Sequence, residues 1–120
     1  MNEQMKQELI DWGVNWNDIT ERFMGNEALV ERFMFKFLND KSFSQLTEQL
    51  SAKNAEEAFK ACHTLKGVMG NLALDGFKKP VLELTEVLRA GSLDGSDELY
   101  AAIKEKYEPL IGILQKYQPG

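Results

Sequence analysis

The residues best suited to chemistry lie in one predicted helix, where a histidine is followed by a lysine and two glycines. His63 is the only histidine in the chain, and Lys66, Gly67 and Gly70 follow it three, four and seven residues later. These spacings bring the four residues to one side of a helix. A glycine inside a helix costs about 1 kcal/mol relative to alanine, so two on one side require a reason.

An imidazole and an ammonium group on one open surface suit phosphoryl transfer. A neutral imidazole has an unprotonated ring nitrogen near pH 7 and can attack a phosphoryl group without a separate base. The product carries new negative charge, which Lys66 can offset. Because Gly67 and Gly70 lack side chains, a partner's active site can reach the ring of His63. The pattern therefore predicts a nucleophile with a nearby cation and open access.

The opposite side of this helix, predicted over residues 55–73, is apolar. At about 100° per residue, its inward positions are Ala58, Cys62, Leu65, Met69 and Leu72. His63 points roughly 145° away from their centre, so we expect it to face solvent. Cys62 falls on the buried stripe, and we predict no function for it. Phe59 lies at the edge of the apolar side, where it can pack in the core or border a docking surface.

Apolar residues recur at helical spacing along nearly the whole chain, which predicts an all-α protein. Capping signals at Asn26, Ser42 and Asn54 mark three helix starts. Helices are expected over residues 26–39, 43–53 and 55–73, from Pro80 to Gly91, and from the Asp94–Asp97 segment to Tyr117. Short connections favour antiparallel neighbours. We therefore expect residues 1–120 to form one domain, an antiparallel up-and-down four-helix bundle with an additional N-terminal helix.

The sequence also gives expectations for the N-terminal segment, for Pro109 and for Phe35. The segment from Glu3 to Trp12 is short and less regular, and it should cap the bundle; its expected apolar contacts are Met5, Leu9, Ile10 and Trp12. Pro109 lies inside the last helix, where its missing N–H and its ring should kink or split the helix. Phe35 lies opposite the apolar stripe that Leu29, Phe33 and Phe37 form on its own helix, where solvent is expected.

Composition and charge exclude several classes of function. The net charge of -5 and the pI near 4.9 repel a nucleic-acid backbone. The first residues carry acids and amides where a signal peptide has basic and apolar regions, and no apolar run approaches the roughly 20 residues that cross a bilayer. The single cysteine excludes an internal disulfide, and one histidine with one inward cysteine makes no metal site. We expect a cytoplasmic protein.

The segment His63-Thr64-Leu65-Lys66-Gly67, followed by Gly70-Asn71-Leu72, resembles the phosphorylation motif of the histidine-containing phosphotransfer (Hpt) family. The likeness extends to residues 33–38 and 84–91. It implies that His63 accepts a phosphoryl group from a receiver-domain aspartate, at the distal ring nitrogen, and passes it to another receiver. It also implies that Lys66 stabilises the charge of the phosphoryl group and that Gly67 and Gly70 leave space for the partner. Met69 and Ala73 depart from the family pattern, since small residues and glycine are common there.

The resemblance also implies partners and cofactors. The partners are receiver domains of response regulators or of hybrid histidine kinases, and the receiver supplies Mg²⁺. The chain itself should bind no cofactor and should act as a monomeric carrier without kinase activity of its own. Because Hpt modules present apolar surface near the histidine, Phe59 and Phe35 are further candidates for docking, beside Gly67 and Gly70.

Two other functions are compatible with a small helical protein. In the first, the chain is a non-catalytic interaction module and His63 is incidental, which leaves the two glycines on one side unexplained. In the second, it is the dimerisation and phosphoacceptor part of a sensor histidine kinase. Such segments have an acid directly after the histidine, whereas Thr64 follows here, and no glycine-rich nucleotide-binding segment is present.

Overall fold

The computed structural model describes residues 1–119, which form seven α-helices. These are α1 (Glu3–Trp12), α2 (Trp16–Arg22), α3 (Glu27–Lys36), α4 (Ser42–Ser51), α5 (Ala55–Asn71), α6 (Lys78–Arg89) and α7 (Ser96–Tyr117). Two 3-10 turns, Phe37–Asn39 and Asp75–Phe77, precede α4 and α6. None of these helices is both long enough and apolar enough to cross a bilayer. The predicted all-α class is confirmed, and the antiparallel four-helix order stays a prediction.

The core holds α5 between two neighbouring helices. α5 packs against α4 on one side and α6 on the other, and α7 packs against α6 and α1. Leu46, Leu65 and Leu84, one each from α4, α5 and α6, are fully buried. α4 also meets α7, because the ring of Phe43 stacks on Tyr107 with centroids 3.9 Å apart. One side of α5 is therefore committed to the core.

Side-chain acceptors satisfy backbone N–H groups at the starts of the three helices for which the sequence predicts a cap. The amide oxygens of Asn26 and Asn54 each accept the backbone N–H three residues later, at 3.2 and 3.0 Å, as predicted. The cap predicted at Ser42 is wrong, because Ser42 is the first residue of α4. The carboxylate of Asp40 accepts the backbone N–H of Ser42 at 2.9 Å and also its hydroxyl. Asp40 thus satisfies the first backbone N–H of α4 in place of a side-chain cap at Ser42.

Two helices, not one, precede α3. α1 buries Met5, Leu9 and Trp12, whereas Ile10, expected among its apolar contacts, is exposed. α2 was not predicted from the sequence. It has seven residues and one buried side chain, Ile19, which is too little to reveal a helical period.

α1 is fastened to α7 by a reciprocal pair of hydrogen bonds. The indole Nε1 of Trp12 donates to the carbonyl of Lys106 at 2.7 Å, and Nζ of Lys106 donates to the carbonyl of Trp12 at 2.8 Å. The same ammonium lies 5.2 Å from the centroid of the indole ring. This Trp12–Lys106 clasp joins the first helix to the last one.

α7 continues through Pro109 without a break. Of the two predicted alternatives, a kink or a split, the split is therefore excluded, and a bend at Pro109 stays a prediction. Pro109 deprives the carbonyl of Glu105 of its helical partner. Both residues are exposed, so water can satisfy that carbonyl and the helix continues.

The loop that follows α1 touches the 3-10 turn before α6 with no room for side chains. Gly13 has a φ of +129°, which favours glycine, and a Cβ at this position would stand 2.5 Å from the Cα of Gly76. A Cβ at Gly76 would in turn lie 2.7 Å from the carbonyl oxygen of Trp12. The two glycines let the backbones touch beside the Trp12–Lys106 clasp.

Gly13→Ala should lower the free energy of unfolding by about 2 kcal/mol or more, because it adds both a backbone clash and an unfavourable φ. Gly112→Ala is the matched control, since Gly112 lies within α7 and its Cβ would meet nothing within 4 Å. That control should gain up to about 1 kcal/mol. Urea unfolding measures both, and native stability in Gly13→Ala would contradict the close contact.

A second link between α1 and α7 is ionic. The carboxylate of Glu8 accepts the hydroxyl of Tyr117 and the ammonium of Lys116, the latter at 3.2 Å. These hydrogen bonds, with the charge of Lys116, hold the pKa of Glu8 below its usual value. The folded state thus favours the ionised carboxylate, which adds to the free energy of unfolding at neutral pH. This stabilisation is lost as the pH falls through the lowered pKa.

Glu8→Gln should therefore have a lower urea midpoint than the native chain at neutral pH. The difference should shrink as the pH is lowered from about 7 to about 2, because the native carboxylate becomes protonated as well. Urea titrations of both chains across this range measure the effect. If the difference in urea midpoint did not change with pH, the effect of Glu8→Gln would come from packing instead of charge.

Candidate functional site

α5 presents His63 to solvent because its buried neighbours fix the rotation of the helix. Cys62 and Leu65 are both 0% exposed, whereas His63 and Thr64 are exposed. This is the orientation that helical phase predicts. Because the backbone of α5 is held by α4 and α6, the imidazole is positioned before any partner arrives.

Phe59 borders the imidazole one turn earlier on α5. The two rings are stacked, with centroids 5.7 Å apart and planes inclined by 30°. Phe59 is half-buried and also packs against the core. The sequence left core packing and a border of a docking surface as alternatives. Core packing is confirmed, and a role of Phe59 in docking stays a prediction.

α6 adds a cation that the sequence analysis did not assign to the site. The guanidinium carbon of Arg89 lies 5.0 Å from the centroid of the Phe59 ring, and Nε of Arg89 pairs with Glu86 at 3.1 Å. Arg89 is the last residue of α6 and lies in the downstream segment that resembles the Hpt family. Its approach to the site depends on how α5 and α6 pack, which residue spacing along the chain does not show.

The two glycines after His63 leave open space on this side of α5. A Cβ built at Gly67 or at Gly70 would meet no atom within 4 Å outside its immediate helical surroundings. Neither glycine has the positive φ that would require its presence. The fold itself therefore does not need a glycine at either position, and their shared effect is a clearing beside His63.

A comparison with known families bears on this arrangement. The model of the Hpt domain family matches residues 34–112, which include the end of α3, all of α4, α5 and α6, and most of α7. The chain belongs to the Hpt domain family. Hpt domains act in phosphotransfer in two-component signalling. No curated protein and no solved structure gives a significant match to the chain.

In this Hpt domain Lys66 is half-buried and forms no salt bridge within residues 1–119. No carboxylate among the described residues thus pairs with its ammonium. Burial raises the pKa of the Cys62 thiol, and its hydrogen bond with Thr85 and the charge of Lys66 offset this only in part. Cys62 therefore stays a buried thiol, as its position on the apolar stripe suggests.

Ala73 occupies a position where the resemblance leads us to expect glycine. It is buried and adopts a φ of +52° just after α5 ends. The helix stops at Asn71, two residues before the predicted end, and the N–H of Leu74 donates to the carbonyl of Met69 at 2.9 Å. A left-handed residue at a helix end is the reason that glycine suits this position, and alanine adopts it at a cost.

The expected exposure of Phe35 is wrong. Phe35 is half-buried and packs against the core, whereas Phe33, which the sequence placed on the apolar stripe, is 38% exposed. α3 is followed by a 3-10 turn and covered on one side by Phe23, whose ring lies 5.3 Å from that of Phe33. A role of Phe35 in docking stays a prediction.

No site for a metal ion emerges from the acidic, histidine and cysteine side chains. Across residues 1–119, no three or more of them are grouped so that they could hold an ion. The expectation that magnesium is supplied by the partner therefore stays a prediction.

Gly67→Ala and Gly70→Ala should each raise the free energy of unfolding, by up to about 1 kcal/mol, because alanine favours the helix and nothing in the fold obstructs its methyl group. Gly67 should give the larger gain, since Gly70 lies in the last turn of α5. Urea unfolding measures the change. Destabilisation by both variants would mean that these glycines serve the fold instead of a partner.

Proposed function

We propose that this Hpt domain carries a phosphoryl group on His63, which it accepts from the aspartate of one receiver domain and passes to another. The observation that supports this most is the exposed imidazole beside two positions where a side chain would have room but none is present. A partner's active site must approach within bonding distance of the ring, and the clearing at Gly67 and Gly70 allows that approach.

The transfer is a displacement at phosphorus. A lone pair on one imidazole nitrogen of His63 forms the new N–P bond, while the P–O bond to the receiver's aspartate breaks and its electron pair stays on the carboxylate. The other ring nitrogen keeps its proton, so no separate base is needed. Reversal of the same step on a second receiver returns the imidazole to its starting form.

Two cations near His63 suit the charge that the phosphoryl group brings. Lys66 has no carboxylate partner in residues 1–119, and Arg89 rests on the ring of Phe59 beside the imidazole. Each can compensate the dianionic phosphoryl group after transfer. Lys66 is our first candidate because it lies one turn from His63 on the same helix. Arg89 would have to leave Glu86 first.

In this proposal the receiver supplies the other groups that the transfer requires. The receiver holds Mg²⁺, and the chain is a monomeric carrier without kinase activity, working in the cytoplasm. An antiparallel arrangement of four helices accounts for the rigid placement of α5. Receiver domains of response regulators or hybrid histidine kinases are the proposed partners.

A receiver domain carrying labelled phosphate should label the native chain in the presence of Mg²⁺, and His63→Gln should take up no label. The label should be lost in acid and retained in alkali, as a phosphorylated imidazole requires. Gly67→Gln should slow transfer at least about tenfold because its side chain fills the clearing, whereas Gly112→Gln on α7 should not. Circular dichroism checks that each variant is folded.

Two outcomes would contradict the proposal. One is acid-labile label on His63→Gln. The other is an unlabelled native chain, correctly folded, after incubation with every member of a panel of phosphorylated receivers. The second result would favour a non-catalytic interaction module.

A further inference from the structure

The rotation of α5 sets where the side chain of His63 leaves the helix, but it does not set the plane of the imidazole. Two side-chain torsions, χ1 and χ2, determine that plane. In a helix χ1 is confined mainly to two staggered values, whereas χ2 of a histidine varies over a broad range. The direction in which each ring nitrogen points depends on χ2. An exposed imidazole without contacts would therefore present its nitrogens in many directions.

No hydrogen bond or salt bridge restricts the imidazole of His63 within residues 1–119. The side-chain hydrogen bonds of α5 in this part of the chain involve other residues, namely Glu57, Lys60, Cys62 and Thr64. The salt bridges of the described chain also leave His63 out. Its stacking contact with the ring of Phe59 is therefore the interaction that can hold the ring plane.

The geometry of this contact is that of a favourable aromatic pair. Phe59 and His63 are four residues apart on α5, a spacing at which side chains of a helix meet. Their centroid distance of 5.7 Å lies in the usual range for aromatic pairs, and the planes are inclined by 30°. A pair of this kind favours its stacked arrangement by roughly twofold to tenfold. That preference is enough to select one orientation of an exposed ring.

Phe59 is itself held in place by two other parts of the structure. It is half-buried and packs against the core. On the α6 side, the guanidinium carbon of Arg89 lies 5.0 Å from the centroid of its ring, and Nε of Arg89 pairs with Glu86 at 3.1 Å. An ordered ring thus lies between the packed interior and the exposed imidazole.

We infer that Phe59 is a positioning residue for phosphoryl transfer, because its ring holds the imidazole plane in which the attacking nitrogen of His63 lies. The inference rests on the proposed function. Transfer requires the nitrogen lone pair, the phosphorus and the leaving oxygen to be aligned, and the orientation of a docked receiver is fixed by its other contacts. A receiver then reacts only with a correctly oriented ring. Stacking on Phe59 keeps the imidazole in that orientation before the receiver docks.

Transfer from a phosphorylated receiver is measured at increasing concentrations of the chain. Phe59→Leu keeps an apolar side chain but loses the ring. It should lower the maximal rate about threefold to tenfold and leave the half-saturating concentration within about twofold of the native value. Phe59→Tyr keeps the ring and should transfer within about twofold of the native rate. Circular dichroism checks that each variant is folded.

Phe23→Leu is the matched control. Phe23 is half-buried and packs against the core, as Phe59 does, but it lies at the end of α2. This control should behave as the native chain. Three results with a native chain that accepts phosphate would overturn the inference: Phe59→Leu that matches the control, Phe59→Tyr as slow as Phe59→Leu, or a raised half-saturating concentration with an unchanged maximal rate. The last result would assign Phe59 to docking.

Direct labelling by phosphoramidate separates positioning from reactivity. This small donor can approach the imidazole from any direction, so Phe59→Leu should be labelled on His63 within about twofold of the native rate. Equal slowing with phosphoramidate and with the receiver would mean that Phe59 affects reactivity or folding, which would overturn positioning. A native chain that neither phosphoramidate nor any receiver labels would overturn the proposed function itself.

Nuclear magnetic resonance tests the stack without any phosphate donor. His63 is the only histidine in the chain, so the signals of its ring protons can be assigned directly. Overhauser contacts should connect these protons with the ring protons of Phe59 in the native chain, and with those of the new ring in Phe59→Tyr. Absence of these contacts from the folded native chain would overturn the inference, whatever the transfer rates.

Discussion

Burial of one side of α5 is the constraint on which the rest of the molecule depends. α5 is packed by α4 and α6, and its inward residues, among them Cys62 and Leu65, are completely buried. Burying a side chain of this size contributes about 1.5 to 3 kcal/mol, so rotating α5 about its axis would lose several such contributions at once. His63 is therefore exposed by the packing of other residues, and its own contacts contribute little to its exposure.

The same constraint explains how the candidate site can be rigid and still accessible. Contacts on the core side hold the backbone, so the exposed side can carry glycines that a helix would otherwise disfavour. The ring of Phe59 joins the two sides, since it packs on the core and stacks on the imidazole. The proposed carrier function requires release of each partner, and a site built on one helix offers few contacts of its own. Any further affinity has to come from surfaces beyond the imidazole.

The sequence predicted the features that depend on local periodicity and failed where distant contacts decide. The helical phase of α5 correctly oriented His63, and the caps at Asn26 and Asn54 appear where side-chain chemistry places them. α2 was missed because it is too short to show a period. The exposure of Phe35 was predicted wrongly because burial in α3 depends on its neighbours. Arg89 reaches the site through the packing of α6, which no spacing in the sequence reveals.

The Trp12–Lys106 clasp gives the chain a nearly closed topology. Its hydrogen bonds join residues 94 positions apart, and those of Glu8 join residues more than 100 apart. Formation of such a large loop costs the unfolded chain much conformational freedom, although this cost grows only with the logarithm of loop length. A covalent cross-link between α1 and α7 would remove that cost in advance, by about 4.7 kcal/mol for a loop of about 100 residues in the chain-entropy treatment. A cross-link between α1 and α7 is thus the one that would stabilise the protein most. It would lie on helices that do not carry His63.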